Sequence, residues 1–274
     1  MLLTMLLFVT MDAIAKYLLQ VFDLVQVVWA RFFMHILWVV IYMFFARSMQ
    51  FRSNRIGLQL TRSVLLFTVT IFFFLGISSI QLATASTIMY LAPILVTLFA
   101  IPLLGEKVGL RRGISVAVGF IGALITVRPG MDGFQIGLLY MLVAAFAHSF
   151  YLIATRKIRI YDQPLTSLFY TAITGALVMS FIVPFYWQWP DAKHWLLFIA
   201  MGFVGSASHL CLIQAFKSAP ASVVAPFTYS SLIWALSFGY ILFDELPDRW
   251  VLLGATLIIG SGLYIFYREQ KLGS

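Results

Sequence analysis

Apolar residues fall in ten long runs along the chain, each bounded by charged residues, glycine or proline. A run of about 20 apolar residues has the length of an α-helix that crosses a bilayer. The loops between the runs are short and polar, which leaves no room for a soluble domain. The pattern predicts an all-α integral membrane protein with ten transmembrane helices, at residues 2–20, 26–46, 60–78, 83–104, 112–128, 135–155, 164–187, 194–216, 221–243 and 249–267.

The composition agrees with a lipid environment. Hydrophobic residues make up 62% of the 274 residues, charged residues make up 10%, and the mean hydropathy is +0.98. Soluble domains are about half apolar and about a quarter charged. The single cysteine, Cys211, excludes an internal disulfide framework and a cysteine-based metal cluster.

Basic residues set the predicted orientation. If the N-terminus is cytoplasmic, thirteen Lys and Arg residues lie on the cytoplasmic side and three lie outside, namely Arg128, Lys193 and Arg249. Cytoplasmic loops carry the excess of Lys and Arg in membrane proteins, so both termini are expected in the cytoplasm. The same rule explains the net charge of +8 without a nucleic-acid partner. The first run imitates a cleaved signal peptide, but Asp12 and Lys16 interrupt it and no basic segment precedes it.

The chain also contains an internal repeat. A shift of 139 residues pairs Glu106 with Glu245 and aligns loops as well as apolar runs in both parts of the chain. Five crossings are an odd number, so a second copy must enter the membrane in the opposite orientation. We therefore predict two inverted five-helix repeats, at residues 1–133 and 134–274. This arrangement is typical of secondary transporters whose central site lies at the interface of the repeats.

The repeat ends read "ATASTIMYLAPILVTLFAIPLLGEKVGLRRGISVAVGFIGALI" and "APASVVAPFTYSSLIWALSFGYILFDELPDRWVLLGATLIIGSGL". With ten helices in two repeats, the chain resembles the EamA type of the drug/metabolite transporter superfamily over nearly its whole length. The stretches "MDAIAKYL" and "QVVWARFFMH" are most similar to a bacterial branch with riboflavin importers and S-adenosylmethionine carriers. The resemblance implies a multi-pass protein of the bacterial inner membrane, without a cofactor. It implies riboflavin as the first substrate candidate, with amino acids, S-adenosylmethionine or another nucleotide-like metabolite as alternatives.

Four ionisable residues are expected in one layer of the membrane. Asp12 and Lys16 are four residues apart in the first run, and Arg31 and His35 are four apart in the second. Residues at this spacing share a helix face, so Asp12 and Lys16 are expected to pair. The layer either locks the two helices together or lines the substrate path, because buried intramembrane charges are costly and usually functional. Its one surplus positive charge favours an anionic or acceptor-rich substrate.

Further polar candidates lie in the sixth and eighth runs. His148 and Tyr151 are three residues apart and share a face, where they either bridge helices or contact substrate. Gln214 is a hydrogen-bond donor suited to a site near the midplane. His209 and Cys211 lie on different faces of one helix, so the sequence predicts neither a metal site nor a catalytic dyad there.

Three aromatic residues could stack on a planar substrate ring. Tyr90 and Tyr229 occupy matching positions of the repeat, and Trp234 lies within the ninth run. The alternative is that these side chains only pack or face lipid. We include all three among the predicted substrate contacts.

Other residues are assigned to helix packing. Pro93 and Pro226 are expected to bend helices, and Glu106 and Glu245 are expected to end one helix and cap the next. Small residues on the fifth and tenth helices predict close packing and, through the same two helices, a homodimer. These residues are Gly119, Gly122, Gly254, Gly260 and Gly262.

The chemistry available in the membrane favours a carrier over an enzyme. Asp12 is the one carboxylate within the runs, and no metal motif, paired acids or nucleophile with a base appears. A channel would show a polar-lined helix or a filter loop, and the runs show neither. The expected partners are a small-molecule substrate and the lipid bilayer. The direction of transport stays open, as does proton coupling through Asp12 or His35.

Overall fold

The fold is helical in the computed structural model, which describes residues 1–47, 51–104, 110–128, 135–158, 160–218 and 225–272. Short 3₁₀ turns occupy Val183–Phe185 and Ala225–Ser230. The α-helices are α1 Leu2–Leu18, α2 Leu24–Phe45, α3 Ile56–Ile77, α4 Leu82–Met89, α5 Leu91–Leu104, α6 Leu110–Val127, α7 Ile136–Ile158, α8 Pro164–Ile182, α9 Ala192–Ser218, α10 Ser231–Phe243 and α11 Arg249–Leu272.

Each predicted run overlaps one of these helices, and the fourth run overlaps two, α4 and α5. By length and composition, five helical stretches suit a membrane crossing, and further apolar helices are shorter. The five are Leu24–Phe45, Ile56–Ile77, Ile136–Ile158, Pro164–Phe185 and Ala192–Leu212.

The break between α4 and α5 has a local cause. α4 ends at Met89, α5 begins at Leu91, and Pro93 follows two residues later. Proline has no N–H to donate to the carbonyl four residues before it, and its ring clashes with that carbonyl. The expected bend at Pro93 is therefore confirmed. For Pro226 the structure describes the backbone alone, in the 3₁₀ turn before α10, and Glu106 lies outside the described residues.

Aspartates cap three of the helices that begin on the predicted outer side. Asp23 and Asp191 each accept a hydrogen bond from a backbone N–H at 2.8 Å, at the starts of α2 and α9. Asp248 accepts two such bonds at 2.9 Å at the start of α11. The first N–H groups of a helix have no partner within the helix, and an aspartate there also complements the helix dipole. Capping therefore accounts for three of the acidic residues in the predicted outer loops.

Helices from the two parts of the chain pack on each other in a pattern that is unchanged when the two repeats are swapped. α3 packs on α7 and α1 packs on α9, while α2 packs on α9 and α3 packs on α8. α1 also contacts α10, and correspondingly α7 contacts α4 and α5. The equivalent helices α2 and α8 pack on each other, and so do α6 and α11. If α1, α2, α3 and α6 are exchanged with α7, α8, α9 and α11, and α4 and α5 together with α10, each of these contacts is converted into itself or another. Phe32, Phe74 and Phe198 are fully buried in the core that these contacts form.

Glycines allow α6 and α11 to approach closely. A Cβ added to Gly122 would lie 2.9 Å from the carbonyl oxygen of Gly254, and a Cβ on Gly254 would lie 2.6 Å from that of Gly122. Gly119 meets Ile94 and Ser261 in the same way. The predicted close packing is confirmed for Gly119, Gly122 and Gly254, and it occurs within one chain. It is wrong for Gly260, because nothing lies within 4 Å of a Cβ added there. The homodimer through these helices stays a prediction.

Gly254→Ala is expected to destabilise the protein, because its new methyl group would meet both Gly122 O and the Thr126 hydroxyl. Overpacking of this kind costs about 1–3 kcal/mol. Gly260→Ala on the same helix is the control, since nothing lies within 4 Å of its added Cβ. Thermal unfolding of the two purified variants in one detergent measures the difference. Equal melting temperatures would contradict the close contact.

Candidate functional site

Two opposite charges lie near each other on α1 and α2 without hydrogen bonds. The charges of Asp12 and Arg31 interact electrostatically. Arg31 is 5% exposed, and Asp12 is half-buried. Within the described part of the chain, neither the Arg31 guanidinium nor the Asp12 carboxylate has a hydrogen-bond partner. A buried charged group without one is costly, because it has lost its water. The pair is therefore a candidate for binding a ligand that is itself charged.

Three histidines lie around this pair. His35, one turn beyond Arg31, is 1% exposed, and neither of its ring nitrogens has a partner among the described residues. The His209 ring on α9 meets His35 edge-on at 5.5 Å. His148 on α7 stacks on Tyr151 at 5.8 Å and interacts electrostatically with His209. The structure thus brings together five residues that the sequence predicts as substrate contacts, from α1, α2 and α7. They are Asp12, Arg31, His35, His148 and Tyr151.

The expected pairing of Asp12 with Lys16 is wrong. The Lys16 ammonium donates to Glu245 Oε1 at 2.5 Å and to the carbonyl oxygen of Ile80 at 2.6 Å. Its side chain is 7% exposed and that of Glu245 is 20% exposed. Residues four apart on a helix can pair, but a carboxylate and a carbonyl from neighbouring loops together satisfy more of this ammonium.

The partner of Lys16 changes the charge of the predicted layer. Glu245 neutralises Lys16, so the Asp12–Arg31 pair is left with no net charge. The predicted surplus of one positive charge is therefore absent. Glu245 also differs from its predicted role at the start of the next helix. Its second oxygen accepts the backbone N–H of Leu82 at 3.1 Å, which caps α4 instead.

Arg62 of α3 is also buried, but unlike Arg31 it is fully hydrogen-bonded. Its side chain is 5% exposed, and all five of its N–H groups donate hydrogen bonds. The Tyr151 hydroxyl accepts one of these bonds at 3.2 Å, and the Tyr151 ring lies under the guanidinium at 5.1 Å. The other acceptors are Gln59, Thr155, Thr171 and the carbonyl oxygen of Ser167. Arg62 therefore fastens α3 to α7 and α8.

This network continues into the loop between α7 and α8. Asp162 accepts hydrogen bonds from the Ser53 hydroxyl, from the Asn54 backbone at 2.8 Å and from Gln59 at 2.8 Å. Desolvation raises the pKa of Asp162, but these hydrogen bonds outweigh it and hold the pKa below its usual value of 3.8. The carboxylate is therefore charged at neutral pH and holds the segment before α3.

The predicted aromatic contacts lie in a separate packing arrangement. Tyr90 and Tyr229 meet edge-on at 5.0 Å, and the Tyr90 hydroxyl is within 3.1 Å of Tyr229 O and 2.7 Å of Ser231 Oγ. The hydroxyl of Tyr229 points at Gly262 of α11. These contacts join the two parts of the chain where the repeat predicts a match.

The last two predicted substrate contacts, Trp234 and Gln214, have no described contact with the Asp12–Arg31 pair. Trp234 on α10 has a buried indole N–H without a partner among the described residues. Gln214 lies further along α9 with its side chain exposed. Neither side chain has a described hydrogen bond or ring contact with Asp12, Arg31 or the three histidines.

Among the residues that the structure describes, no three His, Cys, Asp or Glu side chains are arranged to hold a metal ion. The unpartnered imidazoles are instead free to form hydrogen bonds.

Sequence reasoning missed three residues. The predicted orientation counts Arg62 among the thirteen cytoplasmic Lys and Arg residues, although Gln59, Arg62 and Ser63 form a polar stripe at helical spacing. His209 had been judged only against Cys211 on its own helix. For Glu245, the acidic partner of Lys16, the sequence carries no local signal, because the two residues are far apart in the chain.

Comparison with known proteins identifies the fold and the family. The profile of the EamA-like transporter family matches residues 1–128 and 135–267. The chain belongs to the EamA-like transporter family. A solved crystal structure superposes on this EamA-like chain with a TM-score of 0.64, at 20% identity and with 99% of each chain covered, which supports the fold alone.

Similar proteins are named as transporters. An S-adenosylmethionine uptake transporter of Rickettsia felis is 28% identical over 260 residues, 95% of this chain and 88% of its own length. A riboflavin transporter of Vibrio cholerae is 31% identical over 176 residues, 61% of this chain and 57% of its own length. Together with the apolar helices, the family makes this chain a multi-pass membrane protein with a transport function.

Proposed function

We propose that this EamA-like protein is a secondary transporter for a small metabolite with a zwitterionic amino-acid end. In this proposal it works by alternating access in a bacterial inner membrane, with both termini in the cytoplasm and no chemical change of the substrate. The moving units are the two inverted five-helix repeats, residues 1–133 and 134–274. No cofactor is required.

The unbonded Asp12–Arg31 pair carries the proposal. A guanidinium binds a carboxylate through two parallel hydrogen bonds, and a carboxylate accepts from an ammonium group. A zwitterion supplies both partners at once. An anion alone would satisfy Arg31 and leave Asp12 without a partner.

Similar proteins make S-adenosylmethionine the first candidate. The relatives that cover nearly all of this chain are named as S-adenosylmethionine uptake transporters. S-adenosylmethionine carries an α-amino and a carboxylate group on one carbon, and this amino-acid end matches the Asp12–Arg31 pair. Its sulfonium group adds one positive charge that this pair does not neutralise.

The exchangeable packing of α1 to α6 with α7 to α11 supports alternating access, because equivalent contacts can be broken and re-formed on either side. At the predicted outer ends, polar contacts join the two repeats. Lys16 contacts Glu245. The side-chain amide of Gln26 donates to the backbone carbonyl oxygen of Gln188 at 2.8 Å and accepts from the backbone N–H of Gln188 at 3.0 Å. These contacts fit a state with its outer side closed.

Riboflavin is the second candidate. It is favoured by the Vibrio cholerae relative and by the buried histidine nitrogens, which suit a heterocyclic ring. Riboflavin is neutral and has no amino-acid end, so Asp12 and Arg31 would have to satisfy each other or bind its hydroxyl groups.

Counterflow in proteoliposomes tests the function. Vesicles are loaded with an excess of unlabelled S-adenosylmethionine or riboflavin, and uptake of the same labelled compound is followed. We expect accumulation for S-adenosylmethionine, with or without an imposed pH gradient, because exchange needs no coupling ion. Accumulation of riboflavin alone would favour the second candidate. Failure of both compounds in vesicles that contain folded protein would contradict both candidates.

A further inference from the structure

Four buried ring nitrogens near the charged pair have no hydrogen-bond partner among the described residues. Two belong to His35, one is Nδ1 of His148 and one is Nε2 of His209. A buried polar atom left unpaired costs about 1–3 kcal/mol, and folded proteins seldom leave several in one place. The membrane interior supplies little water to replace the missing partners. We therefore looked for a ligand that would supply them.

The rings around these nitrogens form two groups, which are linked by an electrostatic interaction between His148 and His209. His209 meets His35 at 5.5 Å and Phe8 at 5.0 Å, both edge-on. His148 is held flat against Tyr151 with an interplanar angle of 16°. Phe8 lies one turn before Asp12 on the same face of α1, so the group that contains Phe8 adjoins the charged pair.

We propose that His35, His148 and His209 form a second half of the substrate site, which binds a nitrogen heterocycle such as a nucleobase. This inference rests on the proposed transport function and specifies what else the substrate must carry. A neutral imidazole offers one donor and one acceptor. The edge of a purine offers the same alternation of acceptor and donor in a plane, and its faces stack on aromatic side chains.

The two halves of the site then recognise different ends of one molecule. Asp12 and Arg31 bind the amino-acid end, and the histidines select for the heterocycle attached to it. A metabolite that has only the amino-acid end would bind without engaging His209. His209 is therefore a specificity-determining residue, and the sequence pattern alone had set it aside.

His209→Phe tests this assignment, because phenylalanine keeps a ring between Phe8 and His35 but removes the nitrogens. Counterflow is compared for S-adenosylmethionine and S-methylmethionine, which has a methyl group in place of the adenosyl group. We expect the apparent affinity for S-adenosylmethionine to fall about tenfold, the size of one lost hydrogen bond, with no change for S-methylmethionine. Equal losses for both compounds, or no loss for either, would overturn the assignment.

His194→Phe is the matched control. His194 also lies on α9 and has a buried Nε2 without a described partner, but its Nδ1 contacts Asp191 at 2.7 Å near the start of the helix. We expect this variant to keep the wild-type preference. A loss of preference equal to that of His209→Phe would show that any ring change on α9 has this effect, and would overturn the assignment.

Direct binding separates this inference from the proposed function. Adenosine has the heterocycle but no amino-acid end, and its binding to purified wild-type and His209→Phe protein can be measured by calorimetry. We expect wild-type binding that weakens about tenfold in the variant. Unchanged adenosine binding, or none to the wild type, overturns the histidine subsite even if S-adenosylmethionine is transported. A failure of transport with adenosine binding intact contradicts the proposed function instead.

Discussion

Arg31→Gln is expected to weaken substrate binding strongly with a small loss of stability, whereas Arg62→Gln is expected to destabilise the fold. Arg31 makes no hydrogen bond to a described residue. Its described contacts include the Asp12 charge and the Phe32 ring, whose centroid lies 5.2 Å from the guanidinium carbon, so its removal costs less stability than the loss of five hydrogen bonds. If it binds the substrate carboxylate, its loss costs about 2 kcal/mol or more of binding, which is roughly 30-fold in affinity. Arg62 donates five hydrogen bonds, and their loss costs about 3 kcal/mol or more of stability.

Uptake and thermal unfolding must be measured on the same preparations to separate the two effects. Arg31→Lys is a useful third variant, because it keeps the charge but loses the two parallel hydrogen bonds. We expect it to fall between wild type and Arg31→Gln in uptake. A strongly destabilised Arg31→Gln with normal uptake in its folded fraction would assign Arg31 to structure.

The second large effect is expected at the Lys16–Glu245 contact. Lys16→Met leaves a mostly buried carboxylate without its cation, and such a change costs about 3 kcal/mol. Adding Glu245→Gln should recover part of this loss. Glutamine keeps an oxygen for the Leu82 N–H but carries no charge, so the double variant has no unpaired charge at this position.

Equilibrium unfolding in mixed micelles of the two single variants and the double variant gives the coupling between the two residues. The control is the Arg128–Asp248 pair, whose side chains are 27% and 44% exposed. Exposed ion pairs contribute about 0–1 kcal/mol, so Arg128→Met should have a small effect. Additive losses for Lys16→Met and Glu245→Gln would mean that the two side chains do not stabilise each other.

The helices were predictable because their signals are local. The apolar runs, the break before Pro93 and the glycines of α6 and α11 each depend on neighbouring residues or on the length of one helix. The internal repeat also predicted one contact between residues far apart in the chain. It aligns Tyr90 with Tyr229, and those side chains are in contact.

The partners of charged residues were predicted less well, because helical spacing considers one helix at a time. Helical spacing predicts that Lys16 pairs with Asp12, four residues away. In the structure Lys16 pairs with Glu245, which lies in the loop between α10 and α11. His209 was compared with Cys211 rather than with His35 of another helix. That Arg31 forms no hydrogen bond with any described residue is a property of the packed structure, and no spacing rule could have shown it.

The central claim is that Asp12 binds the amino group and Arg31 the carboxylate of one zwitterion. Calorimetry with wild type and Asp12→Asn can test it, using S-adenosylmethionine and an analogue with hydrogen in place of the α-amino group. Either change alone is expected to weaken binding roughly 30-fold. Both together should weaken it no further, because each removes the same contact. Effects that multiply, or an analogue that binds the wild type as tightly as S-adenosylmethionine does, would contradict the account.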